Sequence, residues 1–131
     1  MILDASALIT VAREESGFEP YLETMLRSSA TRVSAATYLE AAIVVDRLPN
    51  QRASIRFDEL IKDLDISIEP VTAHQATIAR EAYGRLGKGS GHPAKLNFGD
   101  CFAYALAKEF DEPLLFVGQD FIHTDIRRVL D

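Results

Sequence analysis

In MILDASALIT, residues 1–10, a single carboxylate, Asp4, separates a short apolar segment from a helix-forming one. Residues 1–3 predict a buried strand, and the segment from residue 5 to about residue 13 predicts a helix. A strand followed at once by a helix is the first half of a βαβ unit. Burying an unpaired carboxylate costs several kcal/mol or more, so Asp4 needs a partner or an opening to solvent.

The same alternation of strand and helix continues along the whole chain. The predicted strands are residues 1–3, 31–33, 66–71 and 114–117, and the predicted helices after the first are 19–27, 34–46, 51–64, 72–86 and 97–110. Such alternation favours a mainly parallel sheet covered by helices on both faces, a three-layer α/β/α sandwich with four or five strands. No linker or repeat divides the chain, so residues 1–131 are predicted to form a single domain.

Composition and charge limit the classes of protein. The chain has 131 residues, 47% of them hydrophobic, which suits one compact core. No apolar run approaches the roughly 20 residues of a membrane span, and Asp4 with Glu14 and Glu15 interrupts any secretory signal. A single cysteine suits the cytosol, so we expect a cytoplasmic protein without membrane contact. The net charge of −6 argues against a protein that coats duplexes without regard to sequence.

Four carboxylates, Asp4 among them, lie within an apolar run or at its border. Asp4 ends the first predicted strand, Glu40 lies within AATYLEAAIVV, Asp100 opens DCFAYALA, and Asp120 follows the last clear strand. Asp125 is a possible fifth member. In open parallel sheets the loops at the carboxyl ends of the strands build the site, which places Asp4 and Asp120 there.

Each acid also has an ordinary structural interpretation. Asp4 can accept backbone N–H bonds at the start of the next helix, Glu40 can be solvated, Asp100 can cap a helix together with Asn97, and Asp120 can belong to a turn. Together, however, convergent acids repel one another unless protons or cations intervene. Hard oxygen ligands select Mg²⁺ or Mn²⁺, which activate water against phosphate esters. That chemistry allows hydrolysis of either phosphodiesters or phosphomonoesters.

Three segments carry a family resemblance. MILDASAL (1–8), SAATYLEA (34–41) and HPAKLNFGDCFAYALAKEFDEPLLFVGQDFIHTD (92–125) resemble, in order and spacing, the PIN-domain ribonucleases, and most of all the VapC toxins of bacterial toxin–antitoxin pairs. The resemblance implies a twisted, mainly parallel sheet between helices and a Mg²⁺- or Mn²⁺-dependent endoribonuclease. It also implies a homodimer, and a VapB-type antitoxin whose C-terminal segment blocks the site. A tRNA or rRNA loop is the kind of substrate that it implies.

The resemblance assigns roles to individual residues. It implies that the metal-site acids are Asp4, Glu40, Asp100 and Asp120. Ser6 matches the position that supports the first aspartate by hydrogen bonding, and Thr124 and Asp125 match an accessory pair. At Gly118 the chain departs from the family, where Thr or Ser is frequent.

A basic segment precedes the last motif. Lys88, His92 and Lys95 lie in the loop GKGSGHPAK and are predicted to hold RNA phosphates beside the acidic site, the alternative being a solvated loop. Phe98 and Phe121 border the site and are candidates for stacking on a base, the alternative being core packing. The segment EPYLETML and the helix from Ser34 are candidate walls of an antitoxin groove, or else plain core.

Two rival functions remain open from sequence. A phosphatase of the haloacid-dehalogenase type would use Asp4 as a nucleophile, but its pattern requires a second aspartate where this chain has Ser6. A catalytically silent module that only binds a partner would keep the fold without the reaction. Cleavage of RNA that is sensitive to EDTA separates the enzyme from the silent module.

Overall fold

The computed structural model describes all 131 residues and follows the predicted alternation closely. Its elements, in chain order, are β1 (Ile2–Leu3), α1 (Ala5–Ala12), α2 (Glu19–Arg27), β2 (Arg32–Ser34), α3 (Ala35–Asp46), α4 (Arg52–Asp63), β3 (Ser67–Glu69), α5 (Ala73–Leu86), α6 (Phe98–Phe110) and β4 (Leu114–Leu115). Every predicted strand and helix is present. Three of the strands are shorter than predicted, and β2 has the predicted length but begins one residue later.

The four strands form one parallel sheet in the order β3-β2-β1-β4. Ile2 pairs with Arg32 on one side and with Leu114 on the other, so β1 is a central strand. The tail from residue 125 contributes a single bridge between Arg128 and Leu114 and no fifth strand. The carboxyl ends of β1, β2 and β4 therefore lie side by side at one edge of the sheet.

The core consists of two apolar clusters, one on each face of the sheet. Ile2 and Leu3 are consecutive and fully buried, and each belongs to a different cluster, as the two-residue period of a strand requires. Helices α5 and α6 cover the cluster that contains Ile2, and helices α1 to α4 cover the cluster that contains Leu3. The predicted three-layer α/β/α sandwich is confirmed.

Some apolar helix residues lie outside the core. Ile55 is 53% exposed, because Ala53 and Phe57 form the buried stripe of α4. Ile55 lies two residues from each of them and therefore points to the opposite side of the helix. Similarly, Met25 is the buried residue of α2 while Leu26 is 60% exposed. None of the helices is both long and apolar enough to span a bilayer.

Candidate metal centre

Asp4 leaves the end of β1 and caps α1. Its Oδ2 accepts hydrogen bonds from the Ser6 amide at 3.1 Å and from the Ser6 hydroxyl at 2.6 Å. The side chain is buried, with 6% exposed. The interpretation of Asp4 as a helix cap is therefore correct, and it leaves a role in a site open because both of these bonds go to one carboxylate oxygen.

The Ser6 hydroxyl joins two of the strand ends. It donates to Asp4 and accepts from the Val117 amide at 3.0 Å, just beyond β4. One side chain thus fixes the orientation of Asp4 and anchors the segment that leads to Asp120. This is the hydrogen-bonding support for Asp4 that was expected of Ser6.

Asp100 lies in the first turn of α6 and forms a capping box with Asn97. The Asn97 side chain accepts from the Asp100 amide at 2.8 Å, and Asp100 Oδ2 accepts from the Asn97 amide at 3.0 Å. The capping interpretation is correct here as well. The box uses Oδ2 and holds the carboxyl group at the helix N-terminus, where the helix dipole favours negative charge.

Glu40 reaches the same turn of α6 from the neighbouring helix α3. Its carboxylate lies so close to Gly99 that a Cβ atom on residue 99 would overlap it. Gly99 is a site residue that the sequence analysis did not identify. The only sequence signal for it is a glycine placed inside a helix, directly before Asp100, where glycine has no local purpose.

The four predicted acids influence one another electrostatically. Burial, together with the charges of Asp4, Asp120 and Glu40, raises the pKa of Asp100 to about 7. Burial also raises the pKa of Asp4, with Asp120 adding to the effect, while partial desolvation and the charge of Asp4 raise the pKa of Glu40. No Lys, Arg or His side chain forms an ion pair with any of the four. The cluster therefore holds excess negative charge.

The donor set fits a hard divalent cation held partly through water. Nowhere do three or more His, Cys, Asp or Glu side chains form a ready-made ligand group as they are placed. Mg²⁺ does not need one, because it usually takes one or two carboxylates and keeps several waters. All of the candidate donors are oxygens, the ligands that Mg²⁺ and Mn²⁺ prefer. Asp4, Glu40, Asp100 and Asp120 could hold such an ion, some directly and some through water.

Asp120 and Thr124 lie on the exposed turns that follow β4. Asp120 is exposed and comes two residues after Gly118, whose φ of +102° is a backbone conformation that favours glycine. The glycine that departs from the family pattern is thus required by the local turn. Thr124 Oγ1 donates to the Phe121 carbonyl at 2.7 Å and accepts from the Ile126 amide at 3.3 Å, so it stabilises the turn locally.

Asp125 is separate from the other acids and has different hydrogen-bond partners. It accepts from the Tyr104 hydroxyl at 2.8 Å and from Lys108 Nζ at 2.8 Å, with one carboxylate oxygen for each. Burial alone would raise the pKa of Asp125, but the hydrogen bonds from Lys108 and Tyr104 outweigh it and lower that pKa. Asp125 therefore ties the tail to α6, and each of its carboxylate oxygens already accepts one hydrogen bond.

The basic loop connects α5 to the capped start of α6. Lys88 and Lys95 are exposed and form no ion pair, and His92 Nδ1 accepts from the Ala94 amide at 3.1 Å. The loop is closed by a bond from the Lys88 amide to the Leu96 carbonyl at 2.8 Å. It therefore ends next to the turn that carries Gly99 and Asp100.

The two candidate stacking residues differ in exposure. Phe98 is 76% exposed and meets Phe102 edge-on at 4.9 Å between ring centroids. Phe121 is 1% exposed and packs against Phe116 at 5.2 Å, so the alternative of core packing is correct for it. Of the two, Phe98 alone presents an aromatic ring beside the acids.

An apolar cavity lies beside one of the two segments that were candidate walls of an antitoxin groove. This cavity of about 240 Å³ lies between α2, α4 and the end of α1, lined by the apolar residues Val11, Phe18, Leu22, Leu26, Leu60 and Leu64. The segment EPYLETML does line it, as expected. The helix from Ser34, however, contributes nothing to the lining, and α4 takes its place.

Comparison with known proteins places this arrangement in a family. The model of the PIN domain matches residues 1–127. The chain belongs to the PIN domain family. Within that family it is 48% identical over 131 residues to Ribonuclease VapC28 of Mycobacterium tuberculosis, covering 100% of this chain and 98% of that protein. It is 46% identical over 127 residues to Ribonuclease VapC42 of the same species, covering 97% of each. This PIN domain is therefore of the VapC type.

Solved structures show the same fold at low sequence identity. VapC20 of M. tuberculosis, described as a sarcin–ricin loop cleaving toxin, superposes with a TM-score of 0.75 at 14% identity over 98% of this PIN domain and 97% of that chain. VapBC2 of Rickettsia felis, solved with a DNA fragment from its promoter, gives 0.75 at 12% identity over 97% and 94%. Membership in the PIN family also removes the haloacid-dehalogenase alternative.

Proposed function

We propose that this PIN domain is an endoribonuclease that hydrolyses RNA phosphodiester bonds with water activated by Mg²⁺ or Mn²⁺. One observation carries the proposal: Asp4, Glu40 and Asp100, from separate segments of the chain, have raised pKa values to which neighbouring acids contribute, and none of them has a basic partner. Such a set is stable near neutral pH only with bound protons or a cation. The relatives named as ribonucleases support RNA as the substrate.

The residues of the site have distinct roles in this proposal. Asp4, Glu40, Asp100 and Asp120 hold the cation, which when bound lowers the pKa of water and offsets charge on the phosphoryl group. Ser6 fixes Asp4 through its hydroxyl. Without a cation, Asp100 holds a proton up to about neutral pH, and this proton must leave when the carboxyl group becomes a ligand.

The surface beside the acids supplies candidate contacts to RNA. Lys88 and Lys95 are free to bind phosphates, and His92 adds a donor at Nε2 because its Nδ1 accepts a backbone bond. Phe98 offers a ring to an unstacked base next to the scissile phosphate, which is how proteins commonly bind single-stranded RNA. A tRNA or rRNA loop would present such bases.

A VapB-type antitoxin and a second copy of the chain are the proposed partners. The VapBC2 structure, which has this fold, supports a VapB-type antitoxin as a partner. The apolar groove lined by α2 and α4 fits an amphipathic helix. The exposed residues Leu39 and Ile43, one turn apart on α3, are available to a homodimer. Metal-dependent action on RNA and a single unpaired cysteine agree with a cytoplasmic location.

Mapping of cleavage sites tests the proposal. Purified protein is incubated with total cellular RNA in the presence of Mg²⁺, Mn²⁺ or EDTA, and new 5′ ends are sequenced. We expect discrete cuts with either cation and none with EDTA or with Asp4→Asn. Discrete cuts that persist in EDTA would contradict metal dependence, and their complete absence under all conditions would support the catalytically silent module.

A further inference from the structure

Another cavity lies between the turns that follow β4, the tail of the chain and α2. Its volume is about 220 Å³. Its lining includes the apolar or aromatic residues Tyr21, Phe116 and Leu130 and the polar residues Gln119, Arg128 and Asp131. Sites for drug-sized ligands measure roughly 300–1,000 Å³, so this smaller cavity suits a single planar ring system. None of its lining residues belongs to the proposed cation site.

The wall of this cavity is joined to the acids by hydrogen bonds. Phe116 and Gly118 line the cavity and flank Val117 in the sequence. The Val117 amide donates to the Ser6 hydroxyl at 3.0 Å, and that hydroxyl donates to Asp4 at 2.6 Å. Two hydrogen bonds therefore connect the wall of the cavity to the carboxylate at the end of β1.

Gln119 provides a second connection to the acids. It lines the cavity and directly precedes Asp120, so the Cα atoms of the two residues are about 3.8 Å apart. The charge of Asp120 contributes to the raised pKa values of Asp4 and Asp100, so Asp120 is close to both. An RNA strand whose scissile phosphate lies at the acids therefore has a neighbouring nucleotide beside this cavity.

The tail holds Arg128 in a fixed register along β4. The Leu114 amide donates to the Arg127 carbonyl at 2.9 Å, and the Val129 amide donates to the Leu114 carbonyl at 3.1 Å. The tail thus runs parallel to β4, with Arg128 level with Leu114. Arg128 and Leu130 both line the cavity, as the two-residue period of an extended segment requires.

The polar residues of the cavity match the hydrogen-bonding groups of guanine. Arg128 and Asp131 are exposed and form no ion pair, so a planar set of donors and a carboxylate acceptor are both available. Guanine carries two neighbouring acceptors, O6 and N7, and two neighbouring donors, at N1 and N2. The pairing of arginine with O6 and N7 is the commonest specific contact to a base. Tyr21 and Phe116 add aromatic surface, on which unpaired bases commonly stack.

We infer that this cavity binds a guanine of the RNA, beside the scissile phosphate, and so selects where the RNA is cut. The inference rests on the proposed function. Arg128 donates to O6 and N7 of the base, and Asp131 accepts from its N1 and N2 groups. Both are specificity-determining residues in this account, because they contact the substrate and leave the cation and the reacting phosphate to the acids.

The test measures which base each protein requires beside the cut. The parent, Arg128→Gln and Arg128→Lys are incubated with Mn²⁺ and a hairpin RNA whose loop is randomised, and the products are sequenced. We expect the parent to favour guanine at one fixed position by about tenfold over each other base, the usual discrimination of one bidentate contact. Both variants should lose this preference. Lysine keeps the charge but not the planar fork, so its failure separates base recognition from attraction to phosphate.

A modified RNA tests the contact at a single atom. In 7-deazaguanosine a C–H group replaces N7, which removes one of the two acceptors for Arg128. The parent should cut RNA with this base at the preferred position several-fold more slowly than RNA with guanosine. Arg128→Gln should cut the two RNAs at equal rates, because it no longer makes the contact.

Arg127→Gln is the matched control. Arg127 is the neighbouring exposed arginine, but its guanidinium donates to the Asp111 carboxylate at 3.1 Å and it does not line the cavity. This variant should keep the preference of the parent for guanine. If Arg128→Gln fails to fold, Arg128→Lys takes its place in both experiments. Equal use of all bases by the parent, a preference for another base, or a guanine preference that the Arg128 variants retain overturns the inference alone. A parent protein that cuts no RNA with Mn²⁺ overturns the proposed function and the inference with it.

Discussion

The carboxylate of Glu40 lies against Gly99, so that an acidic side chain from α3 touches the backbone of the first turn of α6. This contact brings Glu40 next to Asp100, which is far from it in the sequence and is held in the same turn by its capping box. The helix N-terminus favours negative charge there and offsets part of the repulsion between the two acids.

Substitution of Gly99 tests that contact. Gly99→Ala should displace the Glu40 carboxylate, because the new methyl group would occupy its place. The end of a glutamate side chain moves easily, so we expect the fold to survive while affinity for Mn²⁺ and the rate of RNA cleavage both fall at least tenfold. Calorimetric titration of Mn²⁺ and a cleavage assay measure the two effects.

Gly84→Ala is the matched control for that experiment. Gly84 lies in α5 with open space where a Cβ would be, so alanine should stabilise the protein by about 0.5–1 kcal/mol through helix propensity and leave cleavage unchanged. Equal cleavage by Gly99→Ala and the parent would show that the position of Glu40 is unimportant for the reaction.

The raised pKa of Asp100 predicts how stability depends on pH. In the folded protein this pKa is about 7, against an ordinary value of 3.8, so between these pH values the folded state binds more protons than the unfolded state. The free energy of unfolding must therefore decrease as pH rises from about 4 to 7, by a few kcal/mol at most. The pKa values of Asp4 and Glu40 are shifted upward too and add to the same trend.

Urea unfolding at pH 5 and pH 8 in EDTA measures this dependence. We expect the parent to be less stable at pH 8, Asp100→Asn to lose most of the difference, and Mn²⁺ to restore the stability of the parent at pH 8. Glu112 and Asp125, which have lowered pKa values because their hydrogen bonds outweigh burial, titrate below this range. Equal pH dependence of the parent and Asp100→Asn would refute the electrostatic account of the cluster.

Ser6→Ala should weaken both the site and the fold. The substitution removes the bond to Asp4 and leaves the Val117 amide without its acceptor, which costs about 1–3 kcal/mol. The pKa of Asp4 should rise further, because the Ser6 hydroxyl lowers it. Ser54→Ala removes a bond between two surface residues, Ser54 and Asp46, and should cost less than 0.5 kcal/mol, roughly the value for surface changes. Similar unfolding free energies for the two variants would argue against the linking role of Ser6.

The two exposed lysines of the basic loop should contribute to RNA affinity through phosphate contacts. In an Asp100→Asn background that does not cleave, Lys88→Gln and Lys95→Gln should each weaken binding of single-stranded RNA several-fold. Each should also reduce the slope of log affinity against log salt by about 0.7. Lys62→Gln, on exposed α4, is the control and should change neither quantity. Unchanged salt slopes for both loop variants would remove this loop from the RNA surface.

Local patterns in the sequence were sufficient to predict the helices and strands, but they did not predict the contacts between them. The bounds of α2 and the caps Ser34, Thr72 and Asn97 follow from neighbouring residues, and the structure contains each of them. The contact of Glu40 with Gly99 depends on how α3 docks against α6, which no local pattern contains. The exposure of Ile55 depends on which side of α4 packs against α1 and α3.

The same difference between local pattern and tertiary contact applies to the acids. Asp4 and Asp100 could be predicted because each ends or opens an apolar element. Asp125 follows the same local pattern, yet it pairs with Tyr104 and Lys108 through the packing of the tail on α6. The sequence indicates where acids stand along the chain, whereas tertiary packing decides which of them share a site.

Cleavage of RNA by the parent and by Asp100→Asn tests the central claim most directly. Asparagine keeps an oxygen that can accept the capping bond from Asn97, so this variant should fold normally while its site loses one negative charge. We expect the parent to cut RNA at defined positions with Mn²⁺ and to stop on addition of EDTA, and the folded variant to cut at least a hundredfold more slowly. Cleavage by folded Asp100→Asn at the parent rate, or cleavage by the parent in EDTA, would contradict the account.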